Sequence, residues 1–569
     1  GGLDTIHTAL GSDTIYGGDN NDTIYAGVGS NKIYGGNYIV ATQTHSDSGN
    51  DTVTYENIVA GGVNAVLSSN LAIISATGNS DVLFGIENVT GTGLADTITG
   101  NTNESNTLIG GAGNDTINGL SGSNKLVGGE DNDTLISGAG DNIIDGGNGS
   151  DTVDYSSLTG TDFADDDSDN NSTDDEVNGI SYSGVKVDLT DENAQRIHDS
   201  YGTDTITGVE NVIGSSKDDH ITGNDEKNIL EGEGGNDHFL LGKNVDSILG
   251  GAGTDTIEFT DTDRDGTTVD GVEVDLGKNQ TLGSENTYRV IDDGFGSAKY
   301  LDSIENVIGT SFKDTIFGNG SSNSLVGGAG EDTLKGGLGA NVIDGGADED
   351  WAYFDDIVVS GATIVLDTDG DTLNDSEGTS DITGYQSTLI GIEHIKATAL
   401  ADTITGDHLE NSILAGGNND VINASAGSDY IDGGEGKDLL DFSSITISND
   451  SSGVTGIKVD LATATAQTVH DYYGDMTISA IENVQGSNKV DFIQGNSENK
   501  TLWGNADDDI LYGVSGNNIL VGGVGSDTFR GGVGDNIIYG ETYTSIGSTG
   551  SETDTSSRDL IDFSNAGVP

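Results

Sequence analysis

Acidic and amide side chains recur at every ninth residue of this chain. From residue 106 onward they are Asn106, Asp115, Asn124, Asp133, Asn142 and Asp151. Carboxylate oxygens are the ligands that Ca²⁺ prefers, whereas a single Asp or Asn in a glycine-rich turn commonly bonds only the nearby backbone. Because the spacing is kept without slippage, a row of oxygen ligands for cations is the interpretation that we favour.

The residues around this row predict the elements that position it. Paired glycines precede the aspartates in segments 110–117, 128–135 and 146–153, and a large aliphatic residue stands two places after each member of the row. Paired glycines permit a tight bend, and the β-branched tail favours a short strand. We therefore predict a flattened coil in which two nonapeptides, about 18 residues, form one turn and the aliphatic side chains point inward.

The three segments read Gly-Gly-Ala-Gly-Asn-Asp-Thr-Ile, Gly-Gly-Glu-Asp-Asn-Asp-Thr-Leu and Gly-Gly-Asn-Gly-Ser-Asp-Thr-Val. They resemble the nonapeptide of the RTX (repeats-in-toxin) family, G-G-x-G-x-D-x-U-x, where U is a large aliphatic residue. The resemblance covers nearly the whole chain. It implies an all-β fold, a parallel β-roll or β-helix solenoid, with multiple bound Ca²⁺ ions. It also implies type I secretion of an unfolded chain that folds on meeting external Ca²⁺.

The nine-residue spacing predicts six blocks separated by connectors. Blocks 1 to 6 are residues 1–40, 96–155, 204–259, 302–354, 402–442 and 491–540, and the connectors are 41–95, 156–203, 260–301, 355–401, 443–490 and, as the start of another, 541–569. Connectors contain an alternating strand-like phrase, as at 185–189, and a Glu-containing phrase ends or follows them, as at 86–89 and 209–212. We expect them to be wider rungs of the same coil with outward loops, including a mobile acidic loop at 162–176.

Alternate bends of such a coil lie at opposite edges, so the row divides into two sets within each block. The predicted metal ligands are the members of the first set, all aspartates: Asp4, Asp22, Asp115, Asp133, Asp151, Asp219, Asp237, Asp255, Asp314, Asp332, Asp350, Asp402, Asp420, Asp438, Asp491, Asp509 and Asp527. The second set is mostly asparagine, with Lys500 and the aspartates Asp13, Asp246 and Asp429. Stacked carboxylates repel unless a cation lies between them, whereas amides can form a ladder without metal.

This division predicts Ca²⁺ along the aspartate edge, few ions or none along the asparagine edge, and none beside Lys500. Calcium suits the site because it accepts six to eight oxygens in loose geometry, including backbone carbonyls, whereas Mg²⁺ requires a strict octahedron. RTX proteins are described as binding along both edges, so the asparagine edge departs from the family pattern.

Composition narrows the class of protein. The chain has 569 residues, 90 glycines, no cysteine and a formal charge of −76. Regular placement of aliphatic residues argues against a disordered acidic polymer, and an aromatic content of 6% argues against one large globular core. The charge disfavours nucleic-acid partners, and no apolar run is long enough to span a membrane.

The expected function is that of a calcium-binding structural protein of the bacterial cell exterior, such as a surface layer, an extracellular filament or an adhesin stalk. No catalytic motif stands out, so we expect no enzyme activity. The alternative is the RTX β-roll portion of a secreted enzyme, toxin or adhesin whose effector domain lies outside this chain. Gly1 begins inside a repeat, and neither terminus resembles a polar cap. We therefore expect self-association, end to end or lateral, or continuation of a longer repeat chain.

Overall fold

The computed structural model of the protein describes residues 2–39, 44–46, 49–69, 71–74, 78–102, 104–158, 176–177, 180–198, 201–242, 244, 246–260, 271–277, 290–294, 296–366, 378–382, 385–445, 456–470, 474–540 and 560–561. These residues form short strands and one 3-10 helix, Leu67–Ser69. The chain divides into two compact units: unit 1 comprises Gly1–Val269 and Asn279–Asn306, and unit 2 comprises Asp270–Lys278 and Val307–Pro569. None of the described residues belongs to a helix that could cross a membrane.

Unit 1 is built from mainly parallel sheets, named here A, B and C. Sheet A contains, in hydrogen-bonded order, Thr5–His7, Thr23–Tyr25, Thr52–Thr54, Asn88–Thr90, Thr107–Ala112, Lys125–Glu130, Asn142–Asn148, Gly202–Thr207 and Ala194–His198. Sheet B contains Thr14–Tyr16, Lys32–Tyr34, Asn79–Phe84, Leu71–Ile74, Val63–Val66, Thr97–Thr99, Thr116–Asn118, Thr134–Ile136, Thr152–Asp154, Asn211–Ile213, Ile229–Glu231, Ser247–Leu249 and Tyr300–Asp302. Sheet C contains Lys186–Asp188, His220–Thr222, His238–Leu240 and Thr256–Glu258. Smaller elements are Asn37–Ile39 with Thr44–Ser46, Glu176–Val177 with Ile180–Ser181, and Val290–Asp292.

Unit 2 repeats this architecture in sheets D, E and F. Sheet D contains Asn306–Ile308, which begins at the unit boundary, and then Ser324–Ala329, Val342–Ala347, Tyr385–Ile390, Gly378–Ile382, Ala362–Val365, Thr403–Thr405, Val421–Asn423, Leu439–Asp441, Asn483–Gln485, Thr501–Ala506, Ile519–Val524 and Ile537–Tyr539. Sheet E contains Glu273–Asp275, Thr315–Phe317, Thr333–Lys335, Trp351–Tyr353, His394–Lys396, Ser412–Leu414, Tyr430–Asp432, Gly474–Ser479 and Gln467–His470. Sheet F contains Lys458–Asp460, Phe492–Gln494, Ile510–Tyr512, Thr528–Arg530 and Leu560–Ile561.

The strand register confirms the all-β coil with 18 residues per turn. Leu108 pairs with Leu126, which pairs with Ile144, and on the next strands Ile117 pairs with Leu135. Each of these side chains has no exposed surface. One aliphatic side chain per strand therefore forms a thin continuous core, and each contributes about 1.5–3 kcal/mol through burial.

Connector strands such as Lys186–Asp188 and Val63–Val66 join the same sheets as the nonapeptide strands. Val187 pairs with Ile221, and Ala65 pairs with Ile98. Two connectors also carry a hairpin with the same bulge, between Arg196 and His198 in unit 1 and between Thr468 and His470 in unit 2. The acidic segment 162–175 lies outside the described residues.

Candidate metal centres

The aspartates of a block stand directly above one another and are joined by a ladder of hydrogen bonds. In block 2 the backbone N–H of Asp115 donates to Oδ1 of Asp133 at 2.8 Å, and the N–H of Asp133 donates to Oδ1 of Asp151 at 2.7 Å. The column begins one rung earlier, since the Asp96 N–H donates to Oδ1 of Asp115 at 2.7 Å. It ends at Glu210, whose Oε2 accepts the Asp151 N–H at 2.8 Å. Each aspartate therefore uses one carboxylate oxygen to bind the rung before it.

The other blocks repeat this ladder, which we call an aspartate column. The columns run through Asp4, Asp22, Asp51 and Glu87; Asp219, Asp237, Asp255 and Glu305; Asp314, Asp332, Asp350 and Glu393; Asp402, Asp420, Asp438 and Glu482; and Asp491, Asp509 and Asp527. In unit 1 the columns of blocks 1, 2 and 3 follow sheets A, B and C in turn. The intervening connector strands thus move the column from one sheet edge to another between blocks.

The first aspartate of five columns is held by a hydroxyl residue four places earlier. In block 4 the Thr310 N–H donates to Oδ2 of Asp314 at 2.6 Å, and its hydroxyl donates to Oδ1 at 3.0 Å. Thr92, Ser215, Thr398 and Ser487 bond the first aspartates of their columns in the same way. These protein donors use both oxygens of the first carboxylate.

Further along the columns, several described aspartates have a buried second carboxylate oxygen without a hydrogen-bond donor. This holds for Oδ2 of Asp22, Asp115, Asp133, Asp151, Asp237, Asp255, Asp332, Asp350, Asp420, Asp438 and Asp509. In block 2 a Cβ at Gly128 would meet both Oδ2 of Asp133 and the carbonyl oxygen of Gly146. The two oxygens thus face one space, which we call the cradle. Glycine leaves this space open in block 2, whereas block 5 carries Ala415 at the equivalent position before Asp420.

Without a cation these carboxylates resist ionisation. Burial raises the pKa of Asp115 to about 8, and the charges of Asp96 and Asp133 add to this effect, while the hydrogen bond from the Asp96 N–H opposes it. The pKa of Asp237 is raised to about 8 and that of Asp509 to about 9, in each case mainly by burial and also by neighbouring aspartates. A bound cation would reverse this effect because it stabilises the charged form.

Comparison with known proteins agrees with this geometry. Segments of the chain match the family described as RTX calcium-binding nonapeptide repeat (4 copies), at residues 1–37, 90–126, 101–135, 118–153, 204–239, 242–259, 302–334, 317–352, 410–443, 485–520 and 512–542. Together they span more than half of the chain. The chain belongs to the RTX family. A search of curated protein sequences gives no match.

RTX repeats bind calcium, and the columns of this chain fit that ion chemically. Unpartnered carboxylate oxygens and backbone carbonyls are hard oxygen donors, which suit Ca²⁺ better than zinc. Among the described residues no group of three or more His, Asp or Glu side chains converges on one point. Each Ca²⁺ would therefore be held by one or two carboxylates together with turn carbonyls, which the loose coordination of Ca²⁺ allows.

The asparagines of this RTX chain form a second kind of column, in which the amide supplies the missing donor. The Asn106 N–H donates to Oδ1 of Asn124 at 2.9 Å, and the Asn124 N–H donates to Oδ1 of Asn142 at 2.9 Å. Nδ2 of Asn124 also donates to the turn carbonyls of Gly119 at 3.1 Å and Gly122 at 2.9 Å. The predicted amide ladder thus exists, but its rungs are joined by backbone N–H groups, and the amide nitrogens bind turn carbonyls.

Exceptions in the asparagine columns also have protein partners. Nζ of Lys299, a residue with no exposed surface, donates to Oδ2 of Asp246 at 2.9 Å and to the carbonyl of Gly242 at 2.7 Å. At Asp429, Oδ1 accepts the Asn411 N–H at 3.1 Å and Oδ2 accepts the Ser425 hydroxyl at 3.3 Å. A lysine therefore supplies the donor at Asp246, and a hydroxyl supplies it at Asp429.

The structure places the predicted ligands in two situations. Asp4 is exposed, whereas the other predicted aspartates are buried in columns. Asp219, Asp314, Asp402 and Asp491 are the hydroxyl-capped first members. Sequence reasoning missed Asp51 and Asp96, because connectors interrupt the nine-residue spacing there. Both are followed by Thr and an aliphatic residue, which is the signal that could have found them.

Proposed function

We propose that this RTX chain is a calcium-binding structural protein of the bacterial cell exterior, folding as Ca²⁺ enters its aspartate columns and assembling into a surface layer, a filament or an adhesin stalk. The supporting observation is the series of buried, unpartnered Oδ2 atoms in the aspartate columns. A buried polar atom without a partner costs about 1–3 kcal/mol, and a charged one costs more. This cost recurs from block to block, and bound cations would remove it.

We assign the ions to the intervals between successive aspartates of each column. In block 2 these lie beside Asp115 and Asp133, where glycine leaves the cradle open. The hydroxyl-capped first aspartates begin the columns, since protein donors already bind both of their oxygens. The asparagine columns bind few ions or none because Nδ2 takes the role of the cation.

Charge supports a role outside the cell. At a formal charge of −76 the metal-free chain opposes its own compaction, so it stays extended where Ca²⁺ is scarce. Where Ca²⁺ is abundant, the free energy of binding becomes free energy of folding. The same acidic surface favours association through divalent ions that bridge neighbouring molecules.

Calcium titration of the purified chain tests this proposal. We expect circular dichroism to show β-structure with Ca²⁺, its loss with excess chelator and no equivalent recovery with Mg²⁺. Gel filtration and electron microscopy with Ca²⁺ should show assemblies that chelation disperses. A β-signal that survives chelation would contradict calcium-dependent folding. A monomer that folds with Ca²⁺ but never assembles would instead favour the β-roll portion of a larger secreted protein.

A further inference from the structure

We propose that the connectors build a separate kind of cation site at the end of an aspartate column, in which a connector glutamate is a ligand together with the last aspartate. This inference rests on the proposed calcium-dependent function. It concerns residues outside the nonapeptide, and it gives a role to the Glu phrase that recurs between successive aspartate columns.

The last aspartates Asp151, Asp255, Asp350 and Asp438 have the buried, unpartnered oxygen that such a site needs. Asp151 has no exposed surface, and its Oδ2 has no donor. Its N–H is bound at 2.8 Å by Oε2 of Glu210, which places a second carboxylate beside it.

A backbone carbonyl from the connector supplies a third oxygen. A Cβ at Gly146 would meet the carbonyl of Gly208, which stands two places before Glu210, as well as Oδ2 of Asp151. The equivalent carbonyls in the other columns belong to Gly85, Ser303, Gly391 and Ala480. All five residues have left-handed backbone conformations, with φ between 50° and 59°. Ser303 adopts this conformation in the column of Asp255 although it is unfavourable for a residue with a Cβ.

Block 5 differs because a buried ammonium group contacts its glutamate. Nζ of Lys500 donates to Oε1 of Glu482 at 3.3 Å and to the carbonyl of Ile481 at 2.8 Å. In blocks 2, 3, 4 and 5 the residue at the position of Lys500 is an asparagine, namely Asn106, Asn228, Asn323 and Asn411. Lys500 therefore neutralises Glu482 internally, and the terminal ion is absent from the column of Asp438.

Counting bound Ca²⁺ on the full chain by native mass spectrometry, at saturating Ca²⁺, tests the assignment. Glu210→Gln keeps an oxygen for the Asp151 N–H but removes the charge, so we expect one ion fewer than in the parent. Glu393→Gln should lose one ion from its own column in unit 2. The exposed Glu226→Gln is the matched control and should lose none. Circular dichroism at saturating Ca²⁺ verifies that each variant is folded.

Replacing Lys500 tests the same proposal by a predicted gain of an ion. Lys500→Asn should gain one ion, and adding Glu482→Gln to that variant should remove it, whereas Glu482→Gln alone should leave the parent count unchanged. An unchanged count in Glu210→Gln or Glu393→Gln would overturn the terminal site, and so would a Lys500→Asn variant that gains nothing. A parent chain that folds without binding Ca²⁺ would instead overturn the proposed function.

Discussion

The aspartate and asparagine columns share one backbone ladder and differ in a single side-chain atom. Oδ1 of Asp133 and Oδ1 of Asn124 both accept an N–H from the previous rung. The remaining atom of Asn124 is Nδ2, which donates to two turn carbonyls, whereas the remaining atom of Asp133 is an oxygen with no donor. The asparagine turn is therefore complete by itself, and the aspartate turn needs a cation or a proton.

Buried lysines extend this comparison. Lys299 and Lys500 each point an ammonium group at carbonyl and carboxylate oxygens near the asparagine columns. An ammonium group attached to the chain needs no external supply. The aspartate columns therefore depend on a bound metal ion, whereas the asparagine columns do not.

Acidification should fold the metal-free chain, and this is the largest effect that we expect. The pKa of Asp509 is raised to about 9, and those of Asp332 and Asp420 to about 7, in each case mainly by burial, so the folded state binds more protons than the unfolded state. This contribution to stability is then fully present below the ordinary aspartate pKa of about 4 and is lost as pH rises through about 7–9. Circular dichroism in metal-free buffer should show β-structure growing as pH falls. A circular dichroism β-signal that grows as pH rises would contradict the prediction that protonated aspartates stabilise the metal-free chain.

Replacing the buried lysine Lys299 by methionine should have the next largest effect. Asp246 and Asp293, whose Oδ2 atoms lie 2.9 and 3.0 Å from Nζ, would lose their cation, at a cost of about 3–5 kcal/mol. Thermal unfolding of Lys299→Met should show this loss, and added Ca²⁺ should recover part of it if a metal can replace an ammonium group. The exposed Lys227→Met is the control. A melting temperature of Lys299→Met equal to that of the wild-type chain would contradict this prediction.

Replacing an asparagine by aspartate in one column, and an aspartate by asparagine in the other, tests directly how the two columns differ. Asn124→Asp loses the bonds to Gly119 and Gly122, which should cost about 1–3 kcal/mol even with Ca²⁺ present. Asp133→Asn should bind less Ca²⁺ and need less of it to fold, because its amide can donate to the turn. Calcium titrations followed by circular dichroism and equilibrium dialysis measure both effects. If the two variants needed the same Ca²⁺ concentration to fold and bound the same amount of Ca²⁺, aspartate and asparagine would play the same role in the two columns.

Removing the hydroxyl cap of a column should have the smallest effect. Thr310→Val loses the hydroxyl bonds to Asp314 but keeps the main-chain N–H bond at 2.6 Å, so we expect a loss of about 1 kcal/mol. The number of bound Ca²⁺ ions should stay the same, because capped aspartates start the columns. Thr333→Val, on the neighbouring strand, is the control for thermal unfolding and ion counting. A lower ion count in Thr310→Val would place an ion at the cap.

Much of the fold was predictable because the repeat is local. Nine-residue spacing of residues such as Leu108 and Ile117 indicated the inward positions, and the structure confirms a coil with an 18-residue turn. The capping hydroxyls and the connector glutamates were not predicted. Thr310 is only four residues from Asp314, but nothing in its type marks it as a cap, and Glu210 is 59 residues from Asp151.

The sequence by itself determined the period, the inward aliphatic residues and the division of the bends into aspartate and asparagine sets, because each depends on neighbours within one or two repeats. Only the tertiary structure decided which sheet edge carries each aspartate column, where a column starts and ends, and which oxygens lack a donor. Those features depend on how connectors of unequal length bring distant rungs into register, and hydrogen-bond partners across such distances are fixed only when the coil closes.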